Sequence, residues 1–161
     1  MRVTSDCPLI DPEVCGLVLR HRVDAAADYA CNNDPPSWPH GLDCEAMTIS
    51  ALSLANSNAT ELFDREHVTP WIRRNSNFRR INVAGTQISA GLRWTLDHLE
   101  DYQFFQAVFD ELDGEPTTVE VLRLLAEKPQ IAAINAGFSD VLRTRIVSSA
   151  AILQSNVGSK G

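Results

Sequence analysis

An α/β fold is predicted from three features of the sequence. In the first half, short β-like runs alternate with segments of helical periodicity, the pattern of a sheet covered by helices. The second half is helix-rich. The length of 161 residues is that of one domain, enough to bury a core without a metal or disulfide staple. There is no internal repeat and no low-complexity block.

The elements follow in order. Arg2–Ser5 reads as a short strand ending at Asp6. Asp11 offers an N-cap with Pro12 at the first helical position, and Val14, Leu17, Val18 and His21 continue at helical spacing, so a helix is expected near 12–22. Asp28–Asn32 is a second strand. Residues 33–41 hold three Pro and one Gly and form a loop. Leu42–Ile49 is a strand, and Ser50 caps a helix running to about Asn58. Glu61–Asn75 reads as one helix, weakened or kinked at Pro70. Phe78–Val83 and Gly91–Leu96 are expected as an antiparallel pair around a Gly-Thr turn region. Asp97 opens a helix with Phe105, Val108, Phe109 and Leu112 on its buried face. Thr117 and Glu120 form a capping box for a helix that ends before Pro129. Leu142, Ile146, Ala150 and Leu153 suggest a last helix before a polar tail.

Composition narrows the function. Hydrophobic residues make up 44% and charged residues 22%, an ordinary globular balance. The net charge of −7 argues against nucleic-acid and anionic-membrane binding, which need excess cation. No apolar run approaches a membrane span, and no signal pattern opens the chain. Cys7, Cys15, Cys31 and Cys44 have no CxxC spacing, so no zinc cluster is suggested. Reduced thiols in a cytoplasmic protein are expected. Twelve Arg stand against two Lys, and Arg is the better fork for phosphate and carboxylate. P-loop, dinucleotide-binding and nucleophile-elbow motifs are all missing from the sequence.

Four places can carry chemistry. Asp6 would lie at a strand end, where open α/β sheets place ligands, and a carboxylate there suits Mg²⁺ held with substrate phosphates. A simple turn or cap is the alternative. Asp97 also follows a strand-like run, but with Glu100 three residues on its spacing by itself favours a helix cap, and one oxygen can cap while the other faces the cleft. Asp43 and Glu45 are spaced to share one strand face, which can grip sugar hydroxyls or a cation or simply face solvent. Around Glu66 and His67 the spacing is not that of a zinc protease, and a His between Phe63 and Trp71 suits a packed core position. Arg73, Arg74, Arg79 and Arg80 can steer phosphate or form a solvated face.

Together these motifs resemble a known family. Arg2-Val-Thr-Ser-Asp-Cys-Pro-Leu-Ile-Asp-Pro12 is similar to the R-V-T-G-D-C-P-L-I-D-P run of spore-coat-polysaccharide-type cytidylyltransferases, relatives of the CMP-sugar synthetases. The resemblance continues in order through His40-Gly-Leu-Asp-Cys-Glu45, Glu66-His-Val-Thr-Pro70 and Leu92-Arg-Trp-Thr-Leu-Asp-His-Leu-Glu-Asp101. It then reaches Thr118-Val-Glu-Val-Leu122, Pro129 and Asn135, covering about residues 2–135. Residues 1–135 therefore read as a cytidylyltransferase-like domain, and 136–161 as a C-terminal helix and tail.

The resemblance implies a GT-A-like, Rossmann-related nucleotidyltransferase fold. It implies transfer of a nucleoside monophosphate from CTP to a sugar or sugar acid, with release of pyrophosphate, in polysaccharide biosynthesis. It implies Mg²⁺ between Asp6 and Asp97, which match the family's two metal aspartates. His40, Gly41, Asp43, Glu45, Glu66 and His67 become candidates for the sugar side. Two departures stand out. His40 replaces the family's Arg, and neutral His is a poorer partner for an anion. The family's Ala-Arg-x-x-S-x-R-L-P-x-K-like nucleotide loop and first strands have no counterpart here. The expectation is thus the C-terminal, metal- and sugar-binding portion of such an enzyme, with self-association or a preceding segment covering the exposed sheet edge. The rival readings are a non-catalytic binding or assembly module, and a phosphatase using Asp6 as nucleophile, against which the missing D-x-D pattern counts.

Overall fold

The computed structural model describes residues 1–85 and 90–138. Its sheet is small and mixed. β1 (Tyr29–Cys31) lies in the middle, antiparallel to β2 (Glu45–Met47) and parallel to β3 (Arg80–Asn82). The register pairs Tyr29 with Met47 and Arg80, and Cys31 with Glu45 and Asn82. Side chains alternate across a strand, so the two faces collect different partners. Ala30 and Ala46 pack with Val18, Cys44 and Val83 beneath α1 (Pro12–Asp24). Tyr29 and Cys31 pack on the other face with Ala51, Ala55 and Ile72. Those three belong to α2 (Ile49–Asn58) and α4 (Pro70–Arg74).

α1 begins as its sequence dictates. Asp11 Oδ1 accepts from the amides of Glu13 at 2.8 Å and Val14 at 3.4 Å, and Pro12 takes a position that needs no amide. The same carboxylate's Oδ2 accepts from the Thr118 amide at 3.0 Å and its hydroxyl at 2.6 Å. Asp11 thereby joins the start of α1 to the start of α6 (Thr118–Glu127), whose Thr117–Glu120 capping box forms as expected. α5 (Leu99–Phe109), α6 and α7 (Pro129–Ala133) build the largest core around Leu42, Trp94, Phe104, Val108, Val121 and Leu124.

Several expectations are corrected. Arg2–Ser5 is no strand: Arg2 alone bridges Glu45, because the chain turns at Ser5 and Asp6. α2 is capped by Thr48, whose hydroxyl accepts from the Ala51 amide at 3.1 Å, and Ser50 lies inside the helix. The single helix expected over 61–75 is two, α3 (Leu62–His67) and α4. They break at Val68, which takes φ +69°, because Pro70 supplies no amide to continue the ladder. Arg74 clamps the pair by gripping both oxygens of buried Asp64. The antiparallel pair also fails among the described residues: β3 joins β1 in parallel, and 91–96 makes one parallel bridge, His40 with Arg93. On α5, Phe104 is buried and Phe109 is exposed. The last expected helix lies outside the described residues.

Candidate functional site

The loop from 33 to 41 is fastened at both ends. Trp38 Nε1 donates to the Val83 carbonyl at 2.9 Å, and the Gly85 amide donates to Ser37 Oγ at 2.9 Å. The His40 amide donates to Leu92 O at 2.9 Å, and the Trp94 amide donates to His40 O at 2.5 Å. Gly41 is required here. Its φ is +111°, and a Cβ would sit 2.0 Å from the Trp94 carbonyl oxygen. The loop thus holds the 92–96 segment against the rest of the fold.

That segment brings the two predicted aspartates together. Leu96 N donates to the Asp6 carbonyl at 2.8 Å, fixing the turn that carries Asp6 beside the run that carries Asp97. The buried Thr95 hydroxyl lies 3.5 Å from Asp6 Oδ2 and 3.3 Å from Asp97 Oδ2. One hydroxyl therefore sits between two carboxylates. Thr4 donates to the Asp6 carboxylate, and Thr95 and Cys7 add further hydrogen bonds, so its pKa lies below the ordinary value despite partial burial.

Behind Asp97 stands a residue that the sequence reading did not select. Asp101 is fully buried and accepts from Arg93 Nε and Nη2, both at 2.8 Å, from the Asp97 and His98 amides, both at 3.0 Å, and from Asn135 Nδ2 at 2.9 Å. These bonds hold its carboxyl far below the usual range, against the desolvation of its burial. Asp101 is the acid that completes the start of α5, so the expected Asp97–Glu100 cap is corrected. Arg93 also donates to Asp97 Oδ2 at 2.6 Å, orienting that half-exposed carboxylate. The available signal was an acid three residues after His98, the N3 position of a helix start. Two carboxylates, Asp97 and Asp101, thus share one guanidinium, and Asp6 stands beyond them across the Thr95 hydroxyl.

The other candidates separate. His40 Nε2 lies 3.9 Å from Asp43 Oδ2, close to the His40–Arg93 bridge. Glu45 is buried and accepts from Arg2 at 2.6 Å, Thr69 Oγ1 at 2.7 Å and Tyr29 OH. Asp43 precedes β2. Glu66 and His67 are exposed on α3, where the His67 ring lies 4.4 Å from that of Phe63; the core position expected for His67 is corrected.

Among the described residues no group of three or more His, Cys, Asp or Glu could hold a metal by itself. Asp6 and Asp97 remain chemically suited to Mg²⁺, which takes one or two carboxylates and fills its octahedron with water and substrate phosphates. No helix among the described residues is long and apolar enough to cross a membrane.

The mixed sheet under helices has the fold of a solved cytidylyltransferase. A solved cytidylyltransferase from Leptospira borgpetersenii superposes with a TM-score of 0.77 at 24% identity, covering 81% of this chain and 57% of that one. No protein-family model matches the chain. It is 28% identical over 138 residues to the spore coat polysaccharide biosynthesis protein SpsF of Bacillus subtilis, covering 82% of this chain and 56% of SpsF. It is 30% identical over 142 residues to an uncharacterized protein of Methanocaldococcus jannaschii, covering 84% of this chain and 56% of that protein. The similarity to SpsF and to the solved cytidylyltransferase supports the resemblance that the motifs carry. It spans a little over half the length of the curated relatives it matches.

Proposed function

We propose that the chain supplies the metal- and sugar-binding portion of a GT-A-like nucleotidyltransferase. The reaction is formation of a CMP-sugar from CTP and a sugar or sugar acid, with release of pyrophosphate. The observation that supports it is the meeting of Asp6 and Asp97 at the Thr95 hydroxyl. In this reading the two carboxylates hold Mg²⁺, which supplies charge neutralisation for the triphosphate and its leaving pyrophosphate. Thr95 has one proton to give, and it is shared among the Asp6 carbonyl at 3.2 Å and the two carboxylates, so at least one carboxylate is free to ligate. Arg93, fixed by Asp101, sets the direction of Asp97.

On the sugar side, His40 and Asp43 lie nearest in the bonding pattern, through the His40–Arg93 bridge. Gly41 allows their loop to approach Trp94. Buried Glu45 acts by holding Arg2, Tyr29 and Thr69 in place. Glu66 and His67 would contribute only if the sugar extends over α3.

The test is calorimetric titration of the full chain with CTP and Mg²⁺, followed by a sugar-acid series with pyrophosphate release monitored. Metal-dependent CTP binding that disappears in both Asp6→Asn and Asp97→Asn is the expected result. Metal-dependent binding indifferent to both substitutions would overturn the assignment. Binding without pyrophosphate release would instead identify a binding module built on the same site.

A further inference from the structure

A second concave site lies on the α4 side of the sheet and is not used in the reading above. Its cavity of about 500 Å³ is lined by Arg73, Arg79, Arg80 and Asn82, with Phe78 and Asp34 among the rest of its wall. The register explains the convergence. Arg80 pairs with Tyr29 and Asn82 with Cys31, so Arg80 and Asn82 share the face on which Tyr29 and Cys31 pack near Ile72 of α4. Arg73 reaches the same space from α4.

The pocket is held rigidly. The Arg79 amide donates to Asp28 Oδ2 at 2.9 Å, and the Arg79 carbonyl accepts from the Asp28 amide at 2.9 Å. Asn82 accepts from the Asp34 amide at 3.0 Å and donates to Pro35 O at 3.1 Å. Arg73 donates to Asn33 Oδ1 at 2.7 Å and lies 3.5 Å from Asp34.

The charge does not balance. Three arginines and one aspartate line the cavity, in a chain whose net charge is −7. Among the described residues, the side chains of Arg79 and Arg80 have no hydrogen-bond or ion-pair partner. An oxyanion placed among arginine side chains at one cavity forms charge-assisted bonds with their forks. Phe78, packed edge-to-face on Trp71 with ring centroids 5.8 Å apart, adds an apolar wall.

We propose that this cavity binds a small oxyanion-bearing molecule, a phosphate monoester or a carboxylate, independently of the Asp6–Asp97 site. Arg79 and Arg80 are the residues that grip the anion, and Arg73 and Asn82 shape the cavity.

The test is metal-free titration of the full chain with inorganic phosphate, and separately with glucuronate, by calorimetry and tryptophan fluorescence. Trp71 lies against the pocket wall and gives a local signal. Saturable binding of either probe is expected, weakened about tenfold or more by Arg79→Ala or Arg80→Ala and less by Arg80→Lys. The stronger probe identifies the anion type. Asp6→Asn and Asp97→Asn are expected to leave this binding intact, so its failure and that of the metal site are distinguishable. Both arginines are exposed, so the variants are expected to fold, with circular dichroism melts as the check. Absence of saturable binding by both probes, or binding unaffected by Arg79→Ala and Arg80→Ala, would overturn the proposal.

Discussion

At Asp101 one buried carboxylate satisfies a guanidinium, two backbone amides and a side-chain amide. Removing its charge would leave Arg93, whose side chain is only 10% exposed, with the more exposed Asp97 as its sole carboxylate partner. Asp101→Asn is therefore expected to cost roughly 3–5 kcal/mol, the range for breaking a buried pair from one side. Urea unfolding measures it. Loss of less than about 1 kcal/mol, the range of surface ion pairs, would show that the pair is not holding the segment. Gly41→Ala tests the neighbouring loop by sterics alone. Its Cβ cannot stand 2.0 Å from the Trp94 oxygen, so the loop or the 92–96 segment must move. Loss of at least 2 kcal/mol is expected, since strained backbone alone costs about 1–3 kcal/mol. A thermal melt unchanged from wild type would contradict this. Neither site could be read fully from sequence. Asp6 and Asp97 read as strand-end acids in the sequence, but neither closes a strand in the structure, and Thr95, which lies between them, bonds to a residue 89 positions away. No local pattern reports such a contact.

Among the elements, the helices whose ends carry their own chemistry were the legible ones. Asp11-Pro12 starts α1, and Thr117 with Glu120 starts α6, because a cap is written within four residues. The sheet was less legible because pairing depends on distant partners. β3 looked like half of a hairpin but pairs in parallel with β1, across the intervening β2 and three helices. The 92–96 run has strand-like composition and makes one bridge, because its backbone bonds go instead to the 39–41 loop and the Asp6 turn. Asp11 shows how a legible cap can hide a tertiary role, since its second oxygen holds Thr118. Asp11→Ala is expected to cost about 2.5–4 kcal/mol, a lost cap of ~1 plus charge-assisted bonds of ~1.5–3. Thr117→Ala removes only a local cap and is expected to cost about 1 kcal/mol. Chemical denaturation of the two variants side by side checks the difference; equal losses would deny the α1–α6 link.

Across the whole molecule, the same bonds fix a pH window for stability. Asp6, Asp11 and Asp101 all have folded pKa values below the ordinary carboxyl value of 3.8. A depressed carboxyl binds fewer protons in the folded state than in the unfolded one, so its stabilisation is complete above the unfolded value and is lost as pH falls through the folded one. The acid limb therefore begins near pH 4. On the alkaline side the buried thiols act in the opposite sense. Burial pushes Cys7 up to about 11 and raises Cys15, Cys31 and Cys44 as well, chiefly by desolvation of the thiolate. An unfolded thiol ionises near pH 8.5. The folded state holds its thiol protons beyond that point, so stability falls as pH rises from there through the folded values. Unfolding free energy is thus expected to be flat between about pH 5 and 8 and to decline on both sides. Urea unfolding across pH 3 to 10 measures the profile. Asp101→Asn is expected to flatten the acid limb by removing the group with the largest carboxyl shift. Cys7→Ala is expected to flatten the alkaline one, and a rise in stability between pH 8.5 and 10 would contradict the thiol account.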